Sequence, residues 1–287
     1  MRENRREIPG VRLGVSGLWA EIREDRFVPG SFELVVDGTP QSHVNLDRPE
    51  DVFFEYVRRI CALIDLIGLP GEPITALHLG AGALTIPRYV EATRPGSTQQ
   101  VIELERELVD LVRRELPLPP HARLRIRYGD ARQSLARLPS GLRGAVDLVV
   151  VDIFSGARTP PHVTSAEFYQ LLRPLLSGRG IVAVNAADGG ALAFARGQAA
   201  TLQEAIGQTI ALAEAQMLKG RRFGNVVLAA SPAPIDTSWL PRLLAAGPHP
   251  ARVLEGEELR RWIAGAPAVS DDTATGSPEP NRGLFGR

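Results

Sequence analysis

Hydrophobic and polar positions follow two different periods in the first part of the chain. Residues 14–46 alternate apolar and polar side chains, and Pro29-Gly30 and Asp37-Gly38 interrupt the alternation. A period of two between such turn residues predicts a small antiparallel β region, which we place at residues 1–48. From residue 50 to 67, apolar positions recur every three or four residues, which predicts an amphipathic helix.

From residue 74 onward, short apolar runs alternate with helical patterns. The predicted strands cover residues 74–79, 99–104, 123–128, 145–153 and 180–185, and the predicted helices cover 84–93, 106–114, 131–138 and 165–176. Such alternation predicts right-handed crossovers and a doubly wound parallel sheet with helices on both faces.

The later part of the chain completes this α/β domain, which we place at residues 49–265. A helix over 191–208, an antiparallel strand pair at 211–217 and 225–230, and a helix over 254–263 are expected. Residues 266–287 are rich in Asp, Thr, Gly, Ser and Pro, a composition that predicts a disordered tail.

Composition and charge exclude several classes of protein. The chain has 287 residues, and its 33 basic residues balance 33 acidic ones. This balance gives no argument for nucleic acid or an anionic membrane as a partner. The charged start at 1–7 precedes no apolar run, and no run is long enough to cross a membrane, so we expect a cytoplasmic protein. Cys61 is the only cysteine; its helical setting is typical of a buried apolar residue rather than a nucleophile.

A glycine turn follows the first strand of the predicted α/β domain. Gly80 and Gly82 separate an apolar strand from a helix, and glycine there lets the backbone turn tightly and approach a ligand. Thr85 stands where a dinucleotide fingerprint has its third glycine. A plain tight turn is the alternative interpretation.

Acidic residues end the next strands. Glu103 lies about 20 residues beyond the turn, where a carboxylate can accept hydrogen bonds from ribose hydroxyls. The alternative role, a carboxylate at a helix N-terminus, suits Glu105 or Glu107 better. Asp152 follows the strand that ends at residue 151, and ligands of open parallel sheets bind at such carboxyl ends.

Gly129, Asp130 and Ala131 follow the third strand of the domain. Asp130 can accept a hydrogen bond from the exocyclic amine of adenine, or it can cap the helix that begins at Ala131. These strand-end residues together describe a nucleoside pocket. The missing third glycine favours a ligand like S-adenosylmethionine over a dinucleotide.

Taken in order, these motifs resemble the spermidine synthase (polyamine aminopropyltransferase) family over most of the chain. Residues 36–42 look like the segment whose glutamine contacts the ligand in that family, which points to Gln41. Residues 80–82, 101–105 and 129–131 look like its glycine turn, ribose-binding strand end and adenine-binding element. Residues 150–152 and 167–169 resemble its catalytic strand and the helix after it, while 222–228 and 270–272 are similar to a divergent branch.

The resemblance implies a fold, a cofactor and a set of site residues. It implies a class I S-adenosylmethionine-dependent methyltransferase-like (Rossmann-like) sheet and a homodimer. Decarboxylated S-adenosylmethionine or S-adenosylmethionine is the implied co-substrate, without a metal, and an amine or polyamine is the implied acceptor. Asp152 is the implied catalytic carboxylate. The implied cofactor-binding residues are Gln41, Gly80, Gly82, Glu103, Gly129, Asp130 and Ala131.

The sequence departs from that family at the acceptor end. The family's Asp-Ser-x-Asp-Pro loop reads Asp152-Ile153-Phe154-Ser155-Gly156, so Ser155 replaces the second aspartate. Phe53 and Phe54 stand where the family has a Tyr-His pair. A serine hydroxyl is a poor base at neutral pH, and it carries no charge to attract an amine. A catalytically inactive binding protein and a methyltransferase for a less basic acceptor therefore remain open beside aminopropyl transfer.

Histidines offer replacement bases. His43 and His162 are predicted to flank the pocket, and either could serve as a base or be an ordinary loop histidine. His78 lies within a buried strand and is predicted to be a core or pocket-wall residue. No two histidines have metal-ligand spacing.

Overall fold

The computed structural model describes residues 8–245 and 250–279. Residues 1–7 of the predicted β region, His249 and the last eight residues of the predicted tail lie outside the described residues. The described helices are all too short or too polar to cross a membrane.

The first part of the chain forms a four-stranded antiparallel sheet, in the order β1-β2-β3-β4. A two-residue turn joins β3 to β4, and both of its residues, Asp37 and Gly38, have positive φ angles. Such a turn matches the twist of the paired strands and explains the Asp-Gly signal. The strands are β1 (Val11–Arg12), β2 (Trp19–Glu24), β3 (Ser31–Val36) and β4 (Thr39–Asn45).

The second sheet has eight strands in the order β12-β10-β11-β9-β8-β5-β6-β7. Its parallel strands are β5 (Thr75–Leu79), β6 (Thr98–Glu103), β7 (Arg123–Tyr128), β8 (Val146–Val151) and β9 (Leu176–Asp188). Three antiparallel strands complete it: β10 (Gln208–Glu214), β11 (Gly224–Ser231) and β12 (Ala251–Leu254). The strand order reverses at β5, which has β6 on one side and β8 on the other. Ligands of such sheets bind at this reversal.

Helices cover both faces of the large sheet. They are α1 (Glu55–Asp65), α2 (Thr85–Thr93), α3 (Arg106–Glu115), α4 (Ala131–Leu135), α5 (Ala166–Leu172), α6 (Ala193–Ala205), α7 (Ala215–Leu218), α8 (Leu240–Ala245) and α9 (Gly256–Ile263).

The side chains of β8 alternate between two hydrophobic clusters. Leu148 and Val150 pack in one cluster with residues of α1 and α2, and Val149 and Val151 pack in the other with residues of α5 and α6. A strand buried on both faces reads as a continuous apolar run, which is why the sequence pattern located β8 well.

The structure differs from the expected disordered tail over residues 266–279. Val269 accepts a 2.7 Å hydrogen bond from the backbone of Ala166, and the side chain of Ser277 is fully buried. The prediction of disorder is therefore wrong for these residues. Asp271 and Ser277 pair with protein groups that are distant in sequence, and composition alone does not reveal such pairing. The structure also contains β12, α7 and α8, which the sequence pattern did not indicate.

Candidate functional site

A cavity of about 280 Å³ opens at the carboxyl ends of β5, β6, β7 and β8. The reversal of strand order lies at this edge, and the N-terminal sheet contributes the facing wall. All of the site residues predicted from the sequence line this one cavity: Gln41, Gly80, Gly82, Glu103, Gly129, Asp130, Ala131 and Asp152.

The glycine turn is shaped by close backbone packing. Gly80 and Gly82 have φ angles of +96° and +50°, a region that favours glycine. A Cβ atom on Gly80 would collide with the carbonyl oxygen of Asp152, and one on Gly82 would collide with the hydroxyl of Ser42. That hydroxyl also accepts a 3.1 Å hydrogen bond from the backbone of Ala83. The turn itself therefore requires both glycines, and it holds the end of β5 against the end of β8.

The carboxylate of Glu103 is partly buried and held by backbone amides. Its Oε2 accepts a 2.8 Å hydrogen bond from Ala81, and its Oε1 accepts a 2.9 Å hydrogen bond from Glu105. Desolvation by the surrounding protein raises the pKa of Glu103, and the backbone hydrogen bonds oppose that rise. Each carboxylate oxygen has two lone pairs, so both can still accept a bond from a diol.

Glu105 and Glu107 join the N-terminal sheet to the start of α3. Glu105 accepts hydrogen bonds from the backbone amides of Val15 and Ser16, at 2.9 and 2.6 Å, and Glu107 accepts one from Gly14 at 3.1 Å. The turn between β1 and β2 is thereby fixed beside Glu103. Both glutamates lie at the N-terminus of α3, where a negative charge is favourable.

Asp130 caps α4, as one of its two predicted roles requires. Its Oδ1 accepts a 2.9 Å hydrogen bond from the backbone of Gln133, and its Oδ2 lies 2.7 Å from Nε2 of His162. His162 is half-exposed and lines the cavity. The predicted placement of His162 beside the pocket is therefore observed, and its partner is Asp130 rather than Asp152.

Asp152 receives two side-chain hydrogen bonds. The hydroxyl of Tyr56 donates to Oδ2 over 3.2 Å, and the amide of Asn185 donates to Oδ1 over 2.8 Å. Asn225 in turn donates to the amide oxygen of Asn185 over 2.9 Å. Desolvation raises the pKa of Asp152, and the bonds from Asn185 and Tyr56 partly offset it. The pKa of Tyr56 is well above its usual value, mainly because of burial, so its hydroxyl stays a donor.

Sequence reasoning missed the two residues that bond this carboxylate, Tyr56 and Asn185, and also Asn225, which bonds Asn185. Tyr56 was part of the apolar face of a predicted helix, and Asn225 was part of the 222–228 motif without a role. A signal was available for Asn185, because it is the only polar residue in its predicted strand. Tyr56 carried no such signal, since aromatic residues are common on buried helix faces.

Two other histidines have structural partners. His43 lies 2.9 Å from Asp25 and stacks on Phe53, and it does not belong to the cavity lining, so its predicted position beside the pocket is wrong. His78 is buried and lies 2.9 Å from the side-chain oxygen of Gln99. Desolvation lowers the pKa of His78 to about 4, so it is neutral near pH 7. It lines a second cavity of about 30 Å³ together with Tyr56 and Asp152, as expected of a pocket-wall residue.

The charge of the main cavity is one-sided. Four carboxylates lie along it, those of Glu103, Glu105, Asp130 and Asp152, and no arginine or lysine is found among its described lining residues. Nor do the described residues include a group of three His, Cys, Asp or Glu side chains arranged to hold a metal ion. The electrostatic field of this cavity therefore favours cations.

The sequence is similar to curated polyamine aminopropyltransferases. No protein-family model matches the chain. The polyamine aminopropyltransferase of Vibrio vulnificus (strain CMCP6) is 29% identical over 140 residues, which make up 48% of this chain and 45% of that protein. The chain spans about half the length of the curated relatives it matches.

Solved structures match over more of the chain. The crystal structure of a probable spermidine synthase from Corynebacterium glutamicum superposes with a TM-score of 0.83 and 28% identity, over 93% of this chain and 97% of that one. Human methyltransferase-like protein 13, in complex with SAH, superposes with a TM-score of 0.54 and 17% identity, over 74% of this chain and 93% of that one. These likenesses confirm the predicted class I methyltransferase-like fold.

Proposed function

Because the chain is a divergent spermidine-synthase-like protein, we propose that it transfers an aminopropyl group from decarboxylated S-adenosylmethionine to an amine. The observation that carries this proposal is the one-sided charge of the cavity, which four carboxylates line without an arginine or lysine among the described residues.

The negative charge of the cavity would favour decarboxylated S-adenosylmethionine over S-adenosylmethionine. Decarboxylated S-adenosylmethionine carries a sulfonium and an ammonium group and has no carboxylate. S-Adenosylmethionine adds a carboxylate that would face like charges in this cavity, and like charges across an interface oppose binding. His162 is the single histidine among the described lining residues, and its Nε2 already lies 2.7 Å from Oδ2 of Asp130.

The nucleoside would lie across the strand ends. Glu103 would accept hydrogen bonds from the ribose hydroxyls, and Gly80 and Gly82 would let the backbone approach the ligand, with Gln41 beside it. Asp130, with Gly129 and Ala131, would receive the adenine edge. A structure of the same fold, human methyltransferase-like protein 13, was solved with the adenosyl compound SAH.

At the acceptor end of the cavity, catalysis would depend on Asp152. The acceptor nitrogen attacks the methylene carbon next to the sulfonium, the carbon–sulfur bond breaks, and methylthioadenosine leaves. An ammonium has no lone pair, so the acceptor must first lose a proton. We assign that proton to the Asp152 carboxylate, which Tyr56 and Asn185 orient.

The acceptor end also limits which amine fits. Ser155, which is exposed, supplies no charge where a second carboxylate is expected. A diamine carries two cationic nitrogens, and Asp152 can neutralise one of them. We therefore propose an acceptor with a single amine near the reacting end, in preference to putrescine or a longer polyamine.

A product-mass assay tests this function. The protein is incubated with decarboxylated S-adenosylmethionine and either putrescine or a panel of monoamines, and products are identified by mass spectrometry. An aminopropylated product that depends on Asp152 supports the proposal. Methylated product from S-adenosylmethionine would instead support the second candidate, methyl transfer, which the loss of the second loop carboxylate favours because a less basic acceptor needs no carboxylate cage. Nucleoside binding without any product would indicate a non-catalytic binding protein.

We further propose that the protein is a homodimer formed through its N-terminal β region. Large apolar side chains are exposed there, with Phe27 at 92% and Val15 at 63% of full exposure. Exposed apolar surface of this kind is typical of interfaces. Sedimentation of the wild type and of Phe27→Ser would test it; a monomer in the wild type would reject it.

A further inference from the structure

A C-terminal segment, residues 269–277, lies across the loop that borders the acceptor end of the cavity; we call it the strap. At one end, the hydroxyl of Ser277 accepts a 2.8 Å hydrogen bond from the backbone of Thr159, and the Ser277 amide donates back to the Thr159 carbonyl over 3.2 Å. Arg158 donates to the carbonyl of Ser277 over 2.7 Å. Ser277 is fully buried, so this contact fixes residues 158 and 159 firmly.

At its other end, the strap holds an arginine and a serine. Asp271 receives two parallel hydrogen bonds from the guanidinium of Arg132, at 2.6 and 2.7 Å, and one from the hydroxyl of Ser165 at 2.5 Å. The backbone amide of Asp271 donates to Glu167 over 3.0 Å. The bond from Arg132, followed by that from Ser165, lowers the pKa of Asp271 to about 2, so it is ionised at physiological pH.

Arg132 links Asp271 of the strap to His162 in the cavity wall. The Nη1 atom that binds Asp271 also donates to the backbone carbonyl of His162 over 3.0 Å. His162 contacts Asp130 through its ring, at 2.7 Å, and lines the cavity. A chain of direct hydrogen bonds therefore runs from the strap to the wall of the site, through residues more than 100 positions apart in sequence.

The two anchors lie next to the cavity-lining residues of the loop, which are Ser155, Gly156, Pro160 and His162. The strap bonds directly to Arg158, Thr159 and Ser165. It reaches the carbonyl of His162 through Arg132. We propose that the strap is a built-in part of the acceptor wall and that Asp271 is a positioning residue, which holds His162 over the cavity through Arg132. This inference rests on the proposed function for its catalytic consequence, although its structural part stands without it.

A single exposed ion pair commonly contributes little to stability. Asp271 differs from such a pair because its two bonds to Arg132 are bidentate and a third bond comes from Ser165. Asp272 provides a matched control, since it is the next residue, is exposed, and has no hydrogen bond to another described residue. If the strap holds the loop through Asp271, substitution by asparagine should affect the loop at Asp271 and not at Asp272.

Hydrogen exchange of the loop amides tests the structural part directly. In Asp271→Asn, the amides of Thr159, Val163 and Thr164 are expected to exchange about tenfold faster than in the wild type, because the charged bond to Arg132 is lost. Asp272→Asn should leave them unchanged. Arg132→Gln should match Asp271→Asn, and the double variant should add nothing further. Unchanged loop exchange in Asp271→Asn, in a variant that keeps the wild-type melting temperature, would overturn the strap.

A transfer assay tests the catalytic part. Asp271→Asn should raise the KM for the acceptor about tenfold while the Kd for methylthioadenosine rises about threefold at most, because the strap reaches the adenine edge only indirectly, through Arg132 and the contact of His162 with Asp130. An equal loss of nucleoside and acceptor affinity would overturn the positioning role. If the wild type bound no nucleoside at all, the proposed function would fail, and the hydrogen-exchange result would still decide the strap by itself.

Discussion

The proposed nucleoside end of the cavity is built from the tips of adjacent strands of one sheet, whereas the proposed acceptor end is assembled from parts that lie far apart in the chain. At the nucleoside end, the side chain of Glu103, the last residue of β6, accepts hydrogen bonds from backbone amides, and the glycine turn after β5 donates to the backbone carbonyl of Ile102. At the acceptor end, Tyr56 of α1, Asp152 after β8 and Asn185 of β9 meet through side chains. Residues 269–277 then hold the loop at 155–165.

This difference has a functional meaning. At the nucleoside end, side chains bond to backbone amides of neighbouring strand ends, so that end can keep its shape while the other end changes. The acceptor end depends on individual side chains, and its loop aspartate can be replaced by Ser155 without disturbing the sheet. Substitutions at the two ends should therefore affect different steps, nucleoside binding at one end and transfer to the acceptor at the other.

The largest effect is expected at Asp152. Asp152→Asn keeps the shape of the side chain and removes the base, so the rate of transfer should fall about 100-fold or more, as general-base losses do. The Kd for methylthioadenosine should change less than threefold, roughly. Steady-state kinetics and calorimetry measure the two quantities. Asp110→Asn, on the exposed side of α3, is the control; a comparable loss there, or unimpaired transfer in Asp152→Asn, would refute the role of Asp152.

Glu103 is expected to show the reverse pattern. Glu103→Gln removes a charged acceptor and places amide hydrogens beside the backbone donors of Ala81 and Glu105. The affinity for methylthioadenosine should fall about 10- to 100-fold, because hydrogen bonds to charged groups are worth about 1.5–3 kcal/mol. The kcat at saturating nucleoside should change little. Calorimetry checks this result, and unchanged affinity would remove Glu103 from the nucleoside site.

Tyr56 is expected to act on kcat and on its pH dependence. The hydrogen bond from Tyr56 lowers the pKa of Asp152, so Tyr56→Phe should raise that pKa. The proposed transfer requires ionised Asp152 and should be lost as the pH falls through its pKa. The acidic limb of the kcat profile should therefore move to higher pH in Tyr56→Phe. The kcat near pH 7 should fall about three- to tenfold, consistent with loss of one hydrogen bond.

A matched control exists for the tyrosine substitution. Tyr89 donates to Asp65 at 2.9 Å and does not line the cavity, so Tyr89→Phe should leave the pH profile unchanged. A profile that shifts equally in both variants, or a shift to lower pH in Tyr56→Phe, would contradict the assigned role of Tyr56.

The smallest effect is expected at Glu105. Glu105→Gln loses the negative charge but keeps one side-chain oxygen that can accept a hydrogen bond from the turn between β1 and β2. This turn forms part of the cavity wall at the nucleoside end. The Kd for methylthioadenosine should rise about two- to fivefold, less than in Glu103→Gln. If Glu105→Gln weakened binding more than Glu103→Gln, the ribose role would belong to Glu105.

The sequence predicts the site residues that lie at the carboxyl ends of the parallel strands. Gly80, Glu103, Asp130 and Asp152 each lie at or just after the end of a strand. Parallel strands bring their carboxyl ends to one edge, so the convergence of these residues could be predicted. The alternation of apolar runs and helical patterns likewise located β5 to β9 within a few residues, apart from the longer ends of β9.

The acceptor end could not be predicted in the same way. Tyr56 reaches Asp152 across 96 positions because α1 packs on the face of the sheet that carries Asp152, and helix periodicity does not show which polar atom a buried aromatic ring presents. The strap was missed because a segment rich in Asp, Ser and Thr reads as disordered. Ser277 and Asp271 are ordered by partners that only the fold brings near. His43 was misplaced for a similar reason, since its buried ring lies beside Asp25, which is distant in sequence.

The central claim is that a cavity rich in carboxylates selects a cationic nucleoside that lacks a carboxylate of its own. Isothermal titration of the wild-type protein with decarboxylated S-adenosylmethionine, S-adenosylmethionine and methylthioadenosine measures this selection most directly. The decarboxylated form is predicted to bind at least about tenfold more tightly than S-adenosylmethionine, a difference of about 1.4 kcal/mol. Tighter binding of S-adenosylmethionine, or no binding of any of the three compounds, would contradict the claim.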